Sequence, residues 1–316
     1  MRKNMMLVSA IALMGMVLGA CQAAPPAPSS EVPNAGDPII VGSFIDTEGG
    51  ILGNMILLAL EDKGYEVTDK VQFGTPDVHR NALLQGELHV GVDYTGNGQF
   101  YIEGSEESIW RDAAEGYETI RDADEANGLL WLTPAKANNT EALAVKREFS
   151  ETNNITTMED FAKYVNDGGE VKFITSQLFA EKQVGLLGLE EAYGFKLQPD
   201  QLILLPHGNT AETLKGLSEG RDGINVALAY ATDGSLVDLD LIILEDPLSI
   251  PPVYEPAPIL REEVAEKYPE VKELLDGIFS GLTKELLQEM NKKVIVDGMS
   301  PRDIAEEYLK NNNIIE

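Results

Sequence analysis

From Pro38 onward the chain alternates short apolar runs with amphipathic stretches, and that alternation restricts the fold more than any other feature. Ile39, Ile40 and Val41 form a run suited to a buried strand. Ile51, Leu52, Met55, Ile56 and Ala59 then recur at helical spacing, and Gly64 marks the end of that helix. A helix capped by Asp77 is expected to run through Leu84, followed by a strand over 88–92. Further strands are expected over 171–174, 202–205, 226–230 and 241–244, with helical patterns between them such as 210–217. After Pro258 the pattern turns helical, over 262–267, 271–279, 284–293 and 301–310. Strands alternating with helices argue for an α/β architecture with largely parallel sheets. At 316 residues the chain is long enough for about two domains. Neither a linker nor a repeat divides 38–316, so the chain is expected to cross between domains more than once.

The N-terminus reads as a leader. Arg2 and Lys3 precede an apolar stretch from Met5 to Leu18, a length suited to a signal sequence and short for a membrane span. The stretch ends in Leu18-Gly19-Ala20-Cys21, which resembles the lipobox of bacterial lipoproteins. That resemblance implies removal of residues 1–20 and acylation of Cys21, the only cysteine in the chain. The alternative is an ordinary secreted protein with a cysteine near its cleavage site. Residues 21–36, rich in proline and without apolar periodicity, read as an extended tether.

Charge and motif content remove several functions. With 53 acidic against 24 basic side chains, the formal charge is -29, and binding driven by phosphate neutralisation is excluded. One cysteine and three scattered histidines supply neither an internal disulfide nor a Cys/His zinc site. The sequence holds no phosphate-binding G-x-x-x-x-G-K-[ST], no G-x-S-x-G and no H-E-x-x-H. His79, in a polar helix, is expected at the surface; His89 reads as structural, and His207 lies in a loop that can line a cleft. Glu106-Glu107 and Glu190-Glu191 are most simply solvated helix faces.

An ordered set of segments resembles the extracellular substrate-binding proteins of ABC importers for glycine betaine, choline and related quaternary amines. Val41-Gly42-Ser43 with Thr47-Glu48 and Ile51-Leu52-Gly53 resembles the family's first strand and helix start. Gly86-Glu87-Leu88 leading to Asp93-Tyr94-Thr95-Gly96 resembles its Glu-Tyr-Thr-Gly tetrapeptide. Asn138-Asn139-Thr140 before Ala142-Leu143-Ala144-Val145 resembles the crossover into the second domain, and Gly185-Leu186 with Ala192-Tyr193-Gly194-Phe195 a further stretch. Ala229-Tyr230-Ala231-Thr232-Asp233-Gly234 resembles Ala-Tyr-Ser-Thr-Asp-Gly, and Pro251-Pro252, Tyr254, Pro256 and Pro258 resemble the proline-rich return. The set spans Ile39 to about Leu309.

A trimethylammonium group donates no hydrogen bond, so a site must hold it with aromatic faces and negative charge. The resemblance implies a tyrosine cage, carried here by Tyr94, Tyr230 and Tyr254. The competing reading of each is a tyrosine packed at a strand end with its hydroxyl bonded. The departures bear on the ligand. Glu141 stands two residues after Asn139 where the family commonly has a tyrosine, and Phe44 stands where a basic residue is usual. Lys182 aligns with an arginine that in some members grips the ligand carboxylate, and Asn97 replaces a threonine. Ligand-binding residues are thus expected at Tyr94, Tyr230, Tyr254, Glu141, Asn139, Asn97 and Lys182, with the carboxylate pole weakened and a choline-like cation favoured over glycine betaine itself.

The resemblance implies a two-domain periplasmic-binding-protein-like fold of type II with a hinged cleft. Residues 37–137 and 247–316 would form the first domain and 138–246 the second. It implies a lipid-anchored solute-binding protein on the outer face of the cytoplasmic membrane, in a periplasm or at the cell surface. It further implies delivery to a permease with its ATPase, and no cofactor, metal or nucleic acid. Two other readings are a surface hydrolase using paired cleft carboxylates and a sensory lipoprotein on the same fold.

Overall fold

The computed structural model describes residue 36, residues 38–206 and residues 210–316; the leader, Cys21, the tether up to residue 35 and His207 lie outside the described residues. The described residues form ten strands: β1 (Ile39–Phe44), β2 (Val67–Gly74), β3 (Val90–Tyr94), β4 (Leu129–Trp131), β5 (Glu141–Lys146), β6 (Phe173–Ser176), β7 (Leu202–Leu205), β8 (Val226–Tyr230), β9 (Leu241–Ile243) and β10 (Pro256–Arg261). They make two five-stranded sheets in the orders β2-β1-β3-β10-β4 and β7-β6-β8-β5-β9. The chain builds most of the first sheet, all of the second, and then returns with β10. The chain passes from the first sheet to the second between β4 and β5 and back between β9 and β10.

The sheets are mixed rather than largely parallel. β1 runs parallel to β2 and β3, and β6 parallel to β7 and β8. β10 is antiparallel to β3 and β4, and β5 is antiparallel to β8 and β9. The reversal follows from the crossings: a strand entering from the other sheet arrives without the helical crossover that would make it parallel.

Helix Thr47–Asp62 is fixed at its start by Asp46, whose carboxylate accepts from Gly49 N at 2.8 Å. Gly49 is required there, because a Cβ would lie 2.5 Å from the Phe44 carbonyl oxygen. The helix is apolar all round and buried from Glu48 to Leu60. It lies in one apolar cluster with residues from the C-terminal helices, while a second cluster containing Trp110 and Trp131 forms around Leu83 and Ile259. The second sheet likewise has two clusters, one around Phe161, Phe173 and Phe179 and one around Leu214 and Leu217. Layers of this kind leave the strand ends and the crossings as the place where side chains remain available.

The crossings are bonded to each other. Asn139 N donates to the Tyr254 carbonyl at 2.9 Å, Tyr254 N to Asn138 Oδ1 at 2.8 Å, and Thr140 Oγ1 to the Pro252 carbonyl at 2.8 Å. Helix Lys284–Ile295 adds a further tie, since Gln288 donates to the Ala231 carbonyl and Asn291 to that of Thr232.

Three expectations are corrected. His79 is buried, not at the surface: the helix Pro76–Gln85 turns it against Phe44, with ring centroids 5.2 Å apart. That helix starts from Thr75 with Pro76 at its first position, so Asp77 lies inside it rather than capping it. Glu190 is buried too, accepting from Leu197 N at 2.9 Å and pairing with Lys196, whereas Glu191 is exposed.

Neither ring nitrogen of His79 has a hydrogen-bond partner among the described residues. Burial pushes its pKa down to about 4, against a small opposing effect of the nearby Gly42 backbone. In the unfolded chain the imidazole protonates near its ordinary 6.5, so the unfolded state binds more protons in that window and stability falls with falling pH. Replacing His79 by Leu should therefore spare about 2–3 kcal/mol of the loss seen on acidification from roughly pH 7 to 4.5, measured by urea denaturation. Equal losses in both proteins would mean the imidazole is reachable by water.

Candidate functional site

All seven residues expected to contact ligand line one cavity of about 320 Å³, together with Phe44, Pro76 and Leu178. The placement follows from strand ends. Tyr94 closes β3, Tyr230 closes β8, Glu141 opens β5 and Phe44 closes β1. Glu141 and Tyr230 are paired residues of neighbouring antiparallel strands, so their side chains share a face. Tyr254 and Asn139 come from the bonded crossings, and Lys182 caps the end of helix Gln177–Glu181.

The tyrosines differ in freedom. Tyr94 is 7% exposed, and its hydroxyl donates to Glu48 Oε1 at 2.7 Å. Burial, then the Glu48 charge, raises its pKa well above the phenol range. Gln99 Nε2 donates to the Tyr254 hydroxyl at 2.7 Å, and burial raises that phenol as well. Tyr230 is 39% exposed, the most open of the three, and burial with the charges of Glu141, Asp233 and Asp46 pushes it up to about 12. All three are neutral at any physiological pH, so they offer ring faces rather than phenolate charge. The Phe44 ring lies 5.8 Å from that of Tyr94 and widens the aromatic wall.

Asn97 is held from beneath. Its Nδ2 donates to Asp93 Oδ1 at 2.6 Å, and Asp93 also accepts from Tyr94 N and the Tyr101 hydroxyl. Burial pushes Asp93 up to about 6, opposed by those donors and by Arg80. Arg80 stacks over Tyr101 at 3.8 Å and is bonded twice to Asp124.

Lys182 and Glu141 form an ion pair and are the only charged side chains lining this cavity among the described residues. A second cavity of about 530 Å³ shares Tyr94, Asn139 and Tyr230 with the first and is lined by Asp46, Glu48 and Asp233. Its acids are engaged. Asp46 caps the helix, Asp233 accepts from Tyr230 N and Thr210 Oγ1, and Glu48 is held by three side chains.

Glu48 is the residue that sequence reasoning did not single out. It is 4% exposed and accepts from Tyr94, from Asn139 Nδ2 at 3.2 Å and from Asn291 Nδ2 at 2.7 Å. Burial raises its pKa, and its hydrogen bonds oppose the rise. One signal was available: a carboxylate in the first turn of a helix whose other residues are nearly all apolar has no solvated face to occupy.

A cavity walled by Tyr94, Tyr230, Tyr254 and Phe44, at strand ends and a crossing of two mixed sheets, has the form of a binding site for a small solute. The chain belongs to the family of substrate-binding domains of ABC-type glycine betaine transport systems, whose model matches residues 37–311. It is 43% identical to the glycine betaine-binding protein YehZ of Escherichia coli strain K12 over 277 residues, 87% of this chain and 91% of that one. It is 29% identical to a glycine-betaine-binding protein of Pseudomonas aeruginosa, over 87% of this chain and 88% of that one. The solved structure of ligand-free YehZ superposes with a TM-score of 0.82 at 42% identity, covering 88% of this chain and all of the other. This is an extracytoplasmic substrate-binding protein of an ABC importer, with the periplasmic-binding-protein-like fold.

Replacing Glu48 by Leu leaves the Tyr94 hydroxyl and two buried amide groups short of an acceptor. Urea denaturation should show a loss of about 2–4 kcal/mol. Tyr94→Phe, which keeps the ring and removes one donor, should lose about 1–2 kcal/mol. A Glu48→Leu protein as stable as wild type would mean the carboxylate is not the tie between these side chains.

Proposed function

We propose that the protein captures a small quaternary amine of the glycine betaine, choline or carnitine type in the 320 Å³ cavity and hands it to a membrane permease. The observation that carries this reading is the convergence of Tyr94, Tyr230 and Tyr254 on one cavity with Phe44 beside them. Methyl groups on nitrogen rest against ring faces, and each such contact contributes on the order of 0.5–2 kcal/mol. The ligand is held between groups carried by different sheets: Tyr94 from the first, Tyr230 and Glu141 from the second. Residues 37–137 with 247–316, and residues 138–246, act as two lobes that close on it about the paired crossings. Ligand touching both lobes favours the closed form, and the permease reads that form. Cys21, at the end of the leader, anchors the protein to the outer face of the membrane through its acyl chains.

Calorimetric titration with glycine betaine, choline, carnitine and spermidine tests the ligand class. Heat is expected from methylated amines, and its absence from all of them would end the proposal. Tyr230→Ala and Tyr254→Ala should each weaken binding by about 2- to 30-fold with little change in unfolding midpoint. Collapse of stability with affinity intact would instead make these rings core packing. Cys21→Ser should move the protein from the membrane fraction to the soluble extracytoplasmic fraction; an unchanged distribution would exclude the lipid anchor.

A further inference from the structure

The Lys182–Glu141 ion pair is unlike anything else in the cavity. The remaining lining groups are aromatic rings, amides and aliphatic side chains, so the pair carries the whole formal charge of the wall among the described residues. Its side chains are 25% and 14% exposed, screened from bulk water but open to the cavity. Both belong to the segment that makes the second sheet, Glu141 opening β5 and Lys182 following helix Gln177–Glu181. The pair therefore does not depend on contact with the first sheet. Glu141 faces both phenols that complete the wall, and its charge raises the pKa of Tyr230 and of Tyr254. The Lys182 ammonium also lies 5.7 Å from the Phe179 ring centroid.

We infer that Glu141 and Lys182 form a built-in stand-in for a zwitterion, displaced by a ligand carrying both charges, and that the pair sets the preference for zwitterionic over purely cationic amines. This inference rests on the quaternary-amine reading of the cavity, and it reverses the order expected from the sequence, where the loss of the arginine favoured a choline-like cation, because Lys182 lies in the cavity wall paired with Glu141. A ligand with an ammonium and a carboxylate gives each partner a replacement: the cation settles against Glu141 and the rings, and the carboxylate meets Lys182. Four charges then alternate, and the cost of opening the pair is returned by two new contacts. A cation without a carboxylate takes Glu141 away from Lys182 and leaves an unpaired ammonium near its own charge. That penalty discriminates against choline by repulsion rather than by shape. The replacement of a guanidinium fork by a lysine then acquires a role, because an ammonium, one point charge on a flexible stem, can swing between Glu141 and a ligand carboxylate.

Removing one partner or the other should consequently move the preference between the two ligand classes in opposite directions. Calorimetry of wild type, Lys182→Gln, Glu141→Gln and the double variant, each with glycine betaine and with choline, reads this out. Wild type should bind glycine betaine at least tenfold more tightly than choline. In Lys182→Gln the unpaired carboxylate should strengthen choline and weaken glycine betaine, shrinking the ratio at least tenfold. In Glu141→Gln both ligands lose the carboxylate that meets their cation, but the freed ammonium still meets the carboxylate of glycine betaine and only repels choline, so choline should weaken at least tenfold more and the ratio should widen; the double variant should fall between the single ones. Unfolding midpoints of the four proteins confirm that all are folded at the titration temperature. If both ligands weaken together in each single variant, or their ratio stays constant, the pair merely braces β5 against the neighbouring helix and the inference is wrong. Heat from neither ligand with wild type would remove the quaternary-amine reading and this inference with it.

Discussion

One buried carboxylate gathers the parts of this molecule that have to act together. Glu48, in the first turn of helix Thr47–Asp62, accepts from Tyr94 at the end of β3, from the first crossing through Asn139 and from helix Lys284–Ile295 through Asn291. Asn291 also donates to the Thr232 carbonyl, just past the end of β8 in the second sheet. A charged group is costly to bury, and each donor lost would leave that cost exposed. The ring of Tyr94 is therefore fixed in direction by the same group that registers both sheets against the C-terminal helices.

Against that buried wall the opposite side of the cavity is more open. Tyr230 is the most open of the three tyrosines, and Lys182 sits on a flexible stem. In the proposed reading the rings give affinity to any methylated nitrogen, and the charged pair decides which methylated nitrogen is welcome. The global acidity of the chain contributes long-range attraction for cations but no selection among them.

Much of this was legible in the sequence where the signal was local. The apolar spacing of 51–59 gave the central helix, and the C-terminal helices fall within about two residues of their expected limits. The ordered motifs brought seven residues to one cavity. What stayed hidden depends on distant partners. β2 is an edge strand whose Thr68, Asp69, Lys70 and Gln72 dilute its apolar pattern, and the sequence around it signals no strand. The antiparallel entries of β5 and β10 follow from crossings that leave no mark in either strand. His79 and Glu190 look like surface residues because their own helices are polar or acidic nearby; His79 is covered by Phe44 of β1, and Glu190 folds back onto Lys196 and Leu197 just past its own helix. The burial of Glu48 needed Asn291, 243 residues away.

The return of β10 has a consequence for how the chain is made. β10 lies between β3 and β4, so the first sheet has a gap until residues 256–261 have been synthesised. Helix Thr47–Asp62, buried from Glu48 to Leu60 in the finished protein, waits longer still, because it packs with helix Pro301–Asn311 at the far end of the chain. The second sheet has no such debt: its five strands are continuous in sequence and can assemble while the first remains open. Vectorial emergence thus leaves this apolar helix without its cover until the last fifty or so residues arrive, a long interval of aggregation risk that falls on the N-terminal half.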